Sequence, residues 1–110
     1  MKLKVSVSLF VILFLFSCSH TRMQINSDEL FSYASELTSQ RMYDDALEYY
    51  KTILKQNADS QLKAKVYNNM AIIYEIKGEN LLARKYYREA INLSNNEEIY
   101  RNYQLFLDTL

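Results

Sequence analysis

Asp44-Asp45-Ala46-Leu47-Glu48-Tyr49-Tyr50-Lys51-Thr52-Ile53-Leu54 is echoed 37 residues later by Leu81-Leu82-Ala83-Arg84-Lys85-Tyr86-Tyr87-Arg88-Glu89-Ala90-Ile91. The alanine, both tyrosines and the cation that follows recur in register. Self-similarity at such a period is the mark of stacked helical hairpins, since one hairpin alone cannot bury its apolar face. The chain is therefore expected to be all-α: two hairpins and a closing C-terminal helix. The repeat also moves the functional expectation from catalysis to binding, because such stacks present extended surfaces rather than closed clefts.

The flanking sequence fits the same plan. In residues 27–40, Leu30, Phe31, Tyr33, Ala34 and Leu37 recur at helical spacing, behind an Asn26-Ser27-Asp28-Glu29 start that offers a cap and carboxylates. Residues 43–55 carry Ala46, Leu47, Tyr50, Ile53 and Leu54 on one face. Asp44 and Asp45 fall in that helix's first turn, where the dipole accounts for them better than acid/base chemistry. Asn57-Ala58-Asp59-Ser60 reads as a linker. Residues 64–77 follow with Tyr67, Met70, Ala71 and Tyr74, closed by Gly78, the only glycine. Asn80 is placed to cap a helix reaching Leu93, with Ala83, Tyr87, Ala90 and Ile91 inward. Glu97-Glu98 opens a fifth helix bearing Ile99, Tyr100, Tyr103, Phe106, Leu107 and Leu110.

These residues carry a family resemblance. Residues 64–97 resemble a tetratricopeptide repeat, with the expected residue class at Tyr67, Met70, Ala71, Tyr74, Ala83, Tyr87 and Ala90; Asn95 stands near the usual proline. Residues 27–60 are similar to a more divergent repeat. Leu30, Tyr33, Ala34, Leu37, Ala46 and Tyr50 agree, while Ile53 replaces a small residue. The extra residues 61–63 are assigned to the joining loop. Small residues at Ala46, Ala71, Ala83 and Ala90 let helices approach, and large ones at Tyr50, Tyr67, Tyr74 and Tyr87 fill the gaps, so the tyrosines read as core. Residues 98–110 are the capping helix.

The resemblance implies a concave binding face. It would hold Asp28, Phe31, Ser35 and Thr38 from the first hairpin, and Lys65, Asn68, Ile72, Glu75 and Ile76 from the second. That mixture suits a protein segment laid in a groove, with Phe31 and Ile72 as anchors. The alternative is that the fifth helix or a packing neighbour covers those two side chains. A chaperone-type carboxylate clamp is not supported. Asn69 coincides with one clamp position, but Phe31 and Ser35 replace the Lys and Asn expected earlier.

The N-terminus reads as an export signal. Lys2 and Lys4 precede a run from position 5 to 16 that is apolar apart from Ser6 and Ser8, too short to span a bilayer as a helix. Cys18, the only cysteine, follows Leu15-Phe16-Ser17. This resembles the lipobox of bacterial lipoproteins, with Phe16 bulkier than usual. The implied plan is a signal peptide at 1–17 and a lipidated tether at 18–26; an uncut anchor and plain secretion are the alternatives. Losing Lys2 and Lys4 from 13 cations leaves 11 against 13 anions, a net −2, so acyl chains rather than charge would hold the domain. Each buried CH₂ contributes about 0.8 kcal/mol, and stable anchoring takes more than one chain. Ser19 is not the aspartate resembling an inner-membrane retention signal, which favours the outer membrane facing the periplasm. His20 and Arg22 lie in the tether and read as solvated.

Other functions lack their residues. A single cysteine and a single histidine exclude multi-thiolate metal sites and an internal disulfide. No phosphate loop, nucleophile elbow or metal spacing occurs, so neither enzyme activity nor a cofactor is expected. The formal charge of zero offers nothing to nucleic acid. Repeat plus lipobox is similar to small lipoproteins of outer-membrane β-barrel assembly, and equally to pilus-assembly lipoproteins. Two repeats are few for such a stack, so a protein partner or homo-oligomer is expected, a self-associating structural lipoprotein being the alternative.

Overall fold

A computed structural model describes residues 25–110. The expected signal peptide and Cys18 lie outside these residues. The described part is all-helical: α1 (Ser27–Ser39), α2 (Tyr43–Lys55), α3 (Ser60–Ile76), α4 (Asn80–Leu93) and α5 (Glu97–Asp108). α1 packs on α2 and α3 on α4, forming two hairpins; α3 also touches α1 and α2, and α5 packs on α3 and α4. Thus α1, α3 and α5 stand side by side, backed by α2 and α4. This is a short α-solenoid fragment. No described helix is long and apolar enough to cross a membrane.

Local chemistry fixes the ends of these helices. Asn26 accepts from the Asp28 amide and Asn96 from those of Glu98 and Ile99, with acidic first turns in both helices. Both hairpin corners turn through the left-handed region. After α3, Gly78 at φ 74 lets its own amide reach the Glu75 carbonyl and the Glu79 amide reach Tyr74. After α1, Arg41 at φ 61 does the same, with Arg41 bonded to Thr38 and Met42 to Leu37. These are Schellman closures.

The core follows the echoed positions. Ala34, Ala46, Ala71, Ala83 and Ala90 are fully buried, and Tyr50 and Tyr87 are the largest completely enclosed side chains. Phe106 of α5 joins the main cluster over Tyr87, their centroids 5.4 Å apart. A second small cluster joins Ala64, Ala90 and Ile99, seating the start of α5 on the second hairpin.

Several sequence expectations are corrected. Residues 61–63 do not form a loop: α3 starts at Ser60, and the Asp59 carboxylate caps it by accepting from the Leu62 amide at 2.7 Å. The extra residues lengthen a helix. Asn80 does not cap α4 but is its first residue; the cap position is Glu79, with no side-chain hydrogen bond. Tyr33 is half exposed, its ring edge-on to Tyr49 at 4.9 Å rather than in the core. Tyr67 is only partly buried and stacks on Tyr86. Ile53 is fully buried, so the first hairpin accommodates a larger residue where the second has Ala90.

Candidate functional site

The surface presented by α1 and α3 contains a cavity of about 120 Å³ lined by Ser35, Thr38, Tyr50, Asn69 and Ile72. Ser35, Thr38 and Ile72 were expected there, and the fold brings them together. Phe31 lies one turn before Ser35, partly buried, its ring 5.9 Å from that of Tyr50. α5 packs on α3 and α4 and does not reach α1, so it leaves Phe31 beside an open depression. Asp28, Lys65 and Ile76 are exposed.

Asn68 departs from the expected open face. It is only 7% exposed, because Asn102 of α5 covers it and donates to its side-chain oxygen at 3.2 Å. Glu75 is also engaged, accepting from the Tyr87 hydroxyl at 2.8 Å. Burial first, and the neighbouring carboxylate second, push the Tyr87 phenol well above its ordinary value of 10.0. The fifth helix and the echoed tyrosine thus take up the second-hairpin end of the face. The first-hairpin end stays open.

A polar relay runs beneath the cavity. The Tyr50 hydroxyl shares a hydrogen bond with Ser35 at 3.2 Å and accepts from Asn69 at 3.0 Å. Asn68 donates to the Asn69 oxygen at 3.4 Å, and Asn102 donates to Asn68. One chain of side chains therefore links α1, α2, α3 and α5. From the sequence, Tyr50 reads as core alone and Asn69 only as a lone match to one clamp position. The available signal was Asn68-Asn69 in the middle of a long helix. Asparagine there competes with the backbone and requires side-chain partners.

The cavity floor is hydroxyl and amide, its wall Ile72, and no carboxylate, lysine or arginine lines it. A neutral hollow with hydroxyl and amide groups and an aromatic ring beside it is better suited to a small apolar or amide-bearing group than to an ion. Ion pairs are peripheral. Lys77 bridges to Asp44 across the hairpins and holds that carboxyl below its usual range, and Lys51 pairs with Glu48 within α2.

The fold is that of a helical repeat protein. Residues 32–110 match the family described as "Domain of unknown function (DUF6340)", and the chain belongs to that family. It is also similar to the human Protein O-mannosyl-transferase TMTC1, with 30% identity over 87 residues. That match takes in 79% of this chain but only 10% of the human protein. No solved structure matches the chain significantly.

Proposed function

We propose that this protein is a lipid-anchored tetratricopeptide adaptor of the bacterial envelope that holds a segment of a partner protein between α1 and α3. The observation that carries the reading is the open cavity at Ser35, Thr38, Tyr50, Asn69 and Ile72, with Phe31 beside it. Phe31 and Ile72 supply apolar contact, and Ser35 and Asn69 supply hydrogen bonds held in place by Tyr50. Asp28 and Lys65 lie at the exposed rim, where charge governs encounter more than affinity. In this reading the protein acts by contact.

The Cys18 lipobox supports attachment at the outer membrane, and repeat plus anchor supports an accessory role in β-barrel assembly. A photo-crosslinker at Phe31 or Ile72, used in native membranes, tests the partner. Recovery of a β-barrel assembly component from both sites, lost on Ser35→Arg, is the expected result. A pilus-assembly protein would redirect the role, and self-adducts alone would overturn the adaptor reading. Cys18→Ala should abolish acyl labelling and leave an uncleaved precursor; unchanged size and detergent partitioning would refute the anchor.

A further inference from the structure

α4 departs from the repeat on its outer face. Where α2 carries Asp44, Glu48 and Lys51, the echoed positions of α4 carry Leu81, Lys85 and Arg88. The first turn of α2 is acidic and that of α4 is not. Leu81 stands there instead, 85% exposed, more than any other large hydrophobic side chain among the described residues. Leu81, Arg84, Lys85, Arg88, Glu89 and Asn92 line one shallow hollow of about 310 Å³. It lies on the side of α4 away from the buried Ala83, Tyr87 and Ala90. Three exposed cations thus share a face with one carboxylate. Lys85 lies over the Tyr86 ring, but none of the three forms an ion pair among the described residues. Arg84 and Arg88 are one turn apart, as are Lys85 and Arg88, and like charges at that spacing weaken a helix. Packing does not require them, since the inner face of α4 supplies its burial.

We propose that this face of α4 lies on an anionic phospholipid surface, with Arg84, Lys85 and Arg88 against headgroup phosphates and Leu81 dipped into the interface. Long cationic side chains beside an exposed apolar tip suit a helix lying along a membrane. An acidic protein segment would use the cations and leave Leu81 in water. The exposed Asp44 and Glu48 keep α2 off the same surface, so the contact falls on α4 alone. The contact orients the domain rather than holding it, and rests on the reading of Cys18 as the anchor. Residues 18–26 span at most about 30 Å when extended. Packed helices lie about 8–10 Å apart, so α4 is within reach of the surface that would hold Cys18. α2 and α4 back the row of α1, α3 and α5. With α4 against lipid, the cavity between α1 and α3 faces away from the membrane, open to a partner.

The chain has no tryptophan, so Leu81→Trp supplies a single fluorescent reporter, and Leu105→Trp on the exposed side of α5 a control. Each variant, purified from membranes, is returned to vesicles of phosphatidylcholine alone or mixed with phosphatidylglycerol. With phosphatidylglycerol, emission from Leu81→Trp should shift to the blue and be quenched by brominated lipid, while Leu105→Trp stays water-like. The shift should be absent on phosphatidylcholine alone. It should be lost in about 1 M salt, where screening acts within about 3 Å. Adding Arg84→Glu and Arg88→Glu should also abolish it; both side chains are exposed, so helix content should hold. A Leu81→Trp reporter that stays water-like on anionic vesicles would overturn the proposal, as when a protein covers this face instead. So would a shift that is equal on neutral vesicles or indifferent to the two glutamates. A chain that leaves neutral vesicles yet still reports on anionic ones refutes the Cys18 anchor alone, and a chain that joins neither overturns both.

Discussion

Arg41 and Gly78 occupy the same left-handed corner, 37 residues apart, each closing the first helix of a hairpin with the same pair of backbone hydrogen bonds. Only one of them is suited to it. An L-residue in this region costs roughly 1–2 kcal/mol, part of which glycine offsets with its greater unfolded-state freedom. Arg41→Gly should therefore stabilise the protein by about 0.5–1 kcal/mol, raising the melting temperature by several degrees in a domain of this size. The Arg41 side chain is exposed, so nothing else is lost. Gly78→Ala should act oppositely, by about 1 kcal/mol. An added Cβ there meets nothing within 4 Å, which leaves backbone strain as the whole effect. Denaturant melts of both variants check the pair; an unchanged or lowered midpoint for Arg41→Gly would contradict it.

Tyr87 is the hinge between the second hairpin and α5. Its ring is 1% exposed and lies against Tyr103 and Phe106, while its hydroxyl binds Glu75. Tyr87→Ala should cost on the order of 3–5 kcal/mol, a large share of the stability of so small a domain. Tyr87→Phe keeps the ring and removes only the hydrogen bond, with a loss of about 1–2 kcal/mol. Equal losses in the two variants, measured by urea titration, would mean that ring packing is not what Tyr87 supplies.

The helices were legible because the apolar spacing is regular and the alanine and tyrosine positions repeat. Asn57 to Asp59 do separate the hairpins, but the start of α3 differs because the three extra residues 61–63 read as more of that loop, although Asp59 three residues before Leu62 is itself a capping signal. Ser35, Thr38 and Ile72 could be placed on one face by helical phase alone. Asn68 could not. Its burial depends on where α5 docks, which is a tertiary choice that helical phase does not encode. The role of the Tyr50 hydroxyl was hidden for a related reason: periodicity locates a ring but says nothing of where its polar tip emerges.

Alkaline pH should unfold the protein from above about pH 10, because Tyr87, Tyr74 and Tyr67 all have phenols raised by burial. In each, the folded pKa lies above the unfolded one. The stabilisation is therefore complete below pH 10 and fades as the unfolded chain sheds protons first. Tyr87→Phe should flatten the fall in stability between pH 10 and 12, with Tyr67 and Tyr74 leaving a residual slope. Parallel curves for the two proteins would show that Tyr87 does not drive it.

Among the described residues, Asn102 makes the hydrogen bond that ties α5 to the relay under the groove, through Asn68. Asn68 is buried, so Asn102→Ala strands its side-chain oxygen, and a stranded buried acceptor costs about 1–3 kcal/mol. Replacing both residues with leucine removes the acceptor together with its donor and should cost less than the single change. The single variant should also loosen α5 selectively. Amide exchange should rise in residues 97–108, while that of α1 and α2, held by Leu30, Ala34, Leu47 and Ile53, stays as it was. Uniformly faster exchange across all five helices would mean that the Asn68–Asn102 contact stabilises the whole stack and that α5 does not open independently.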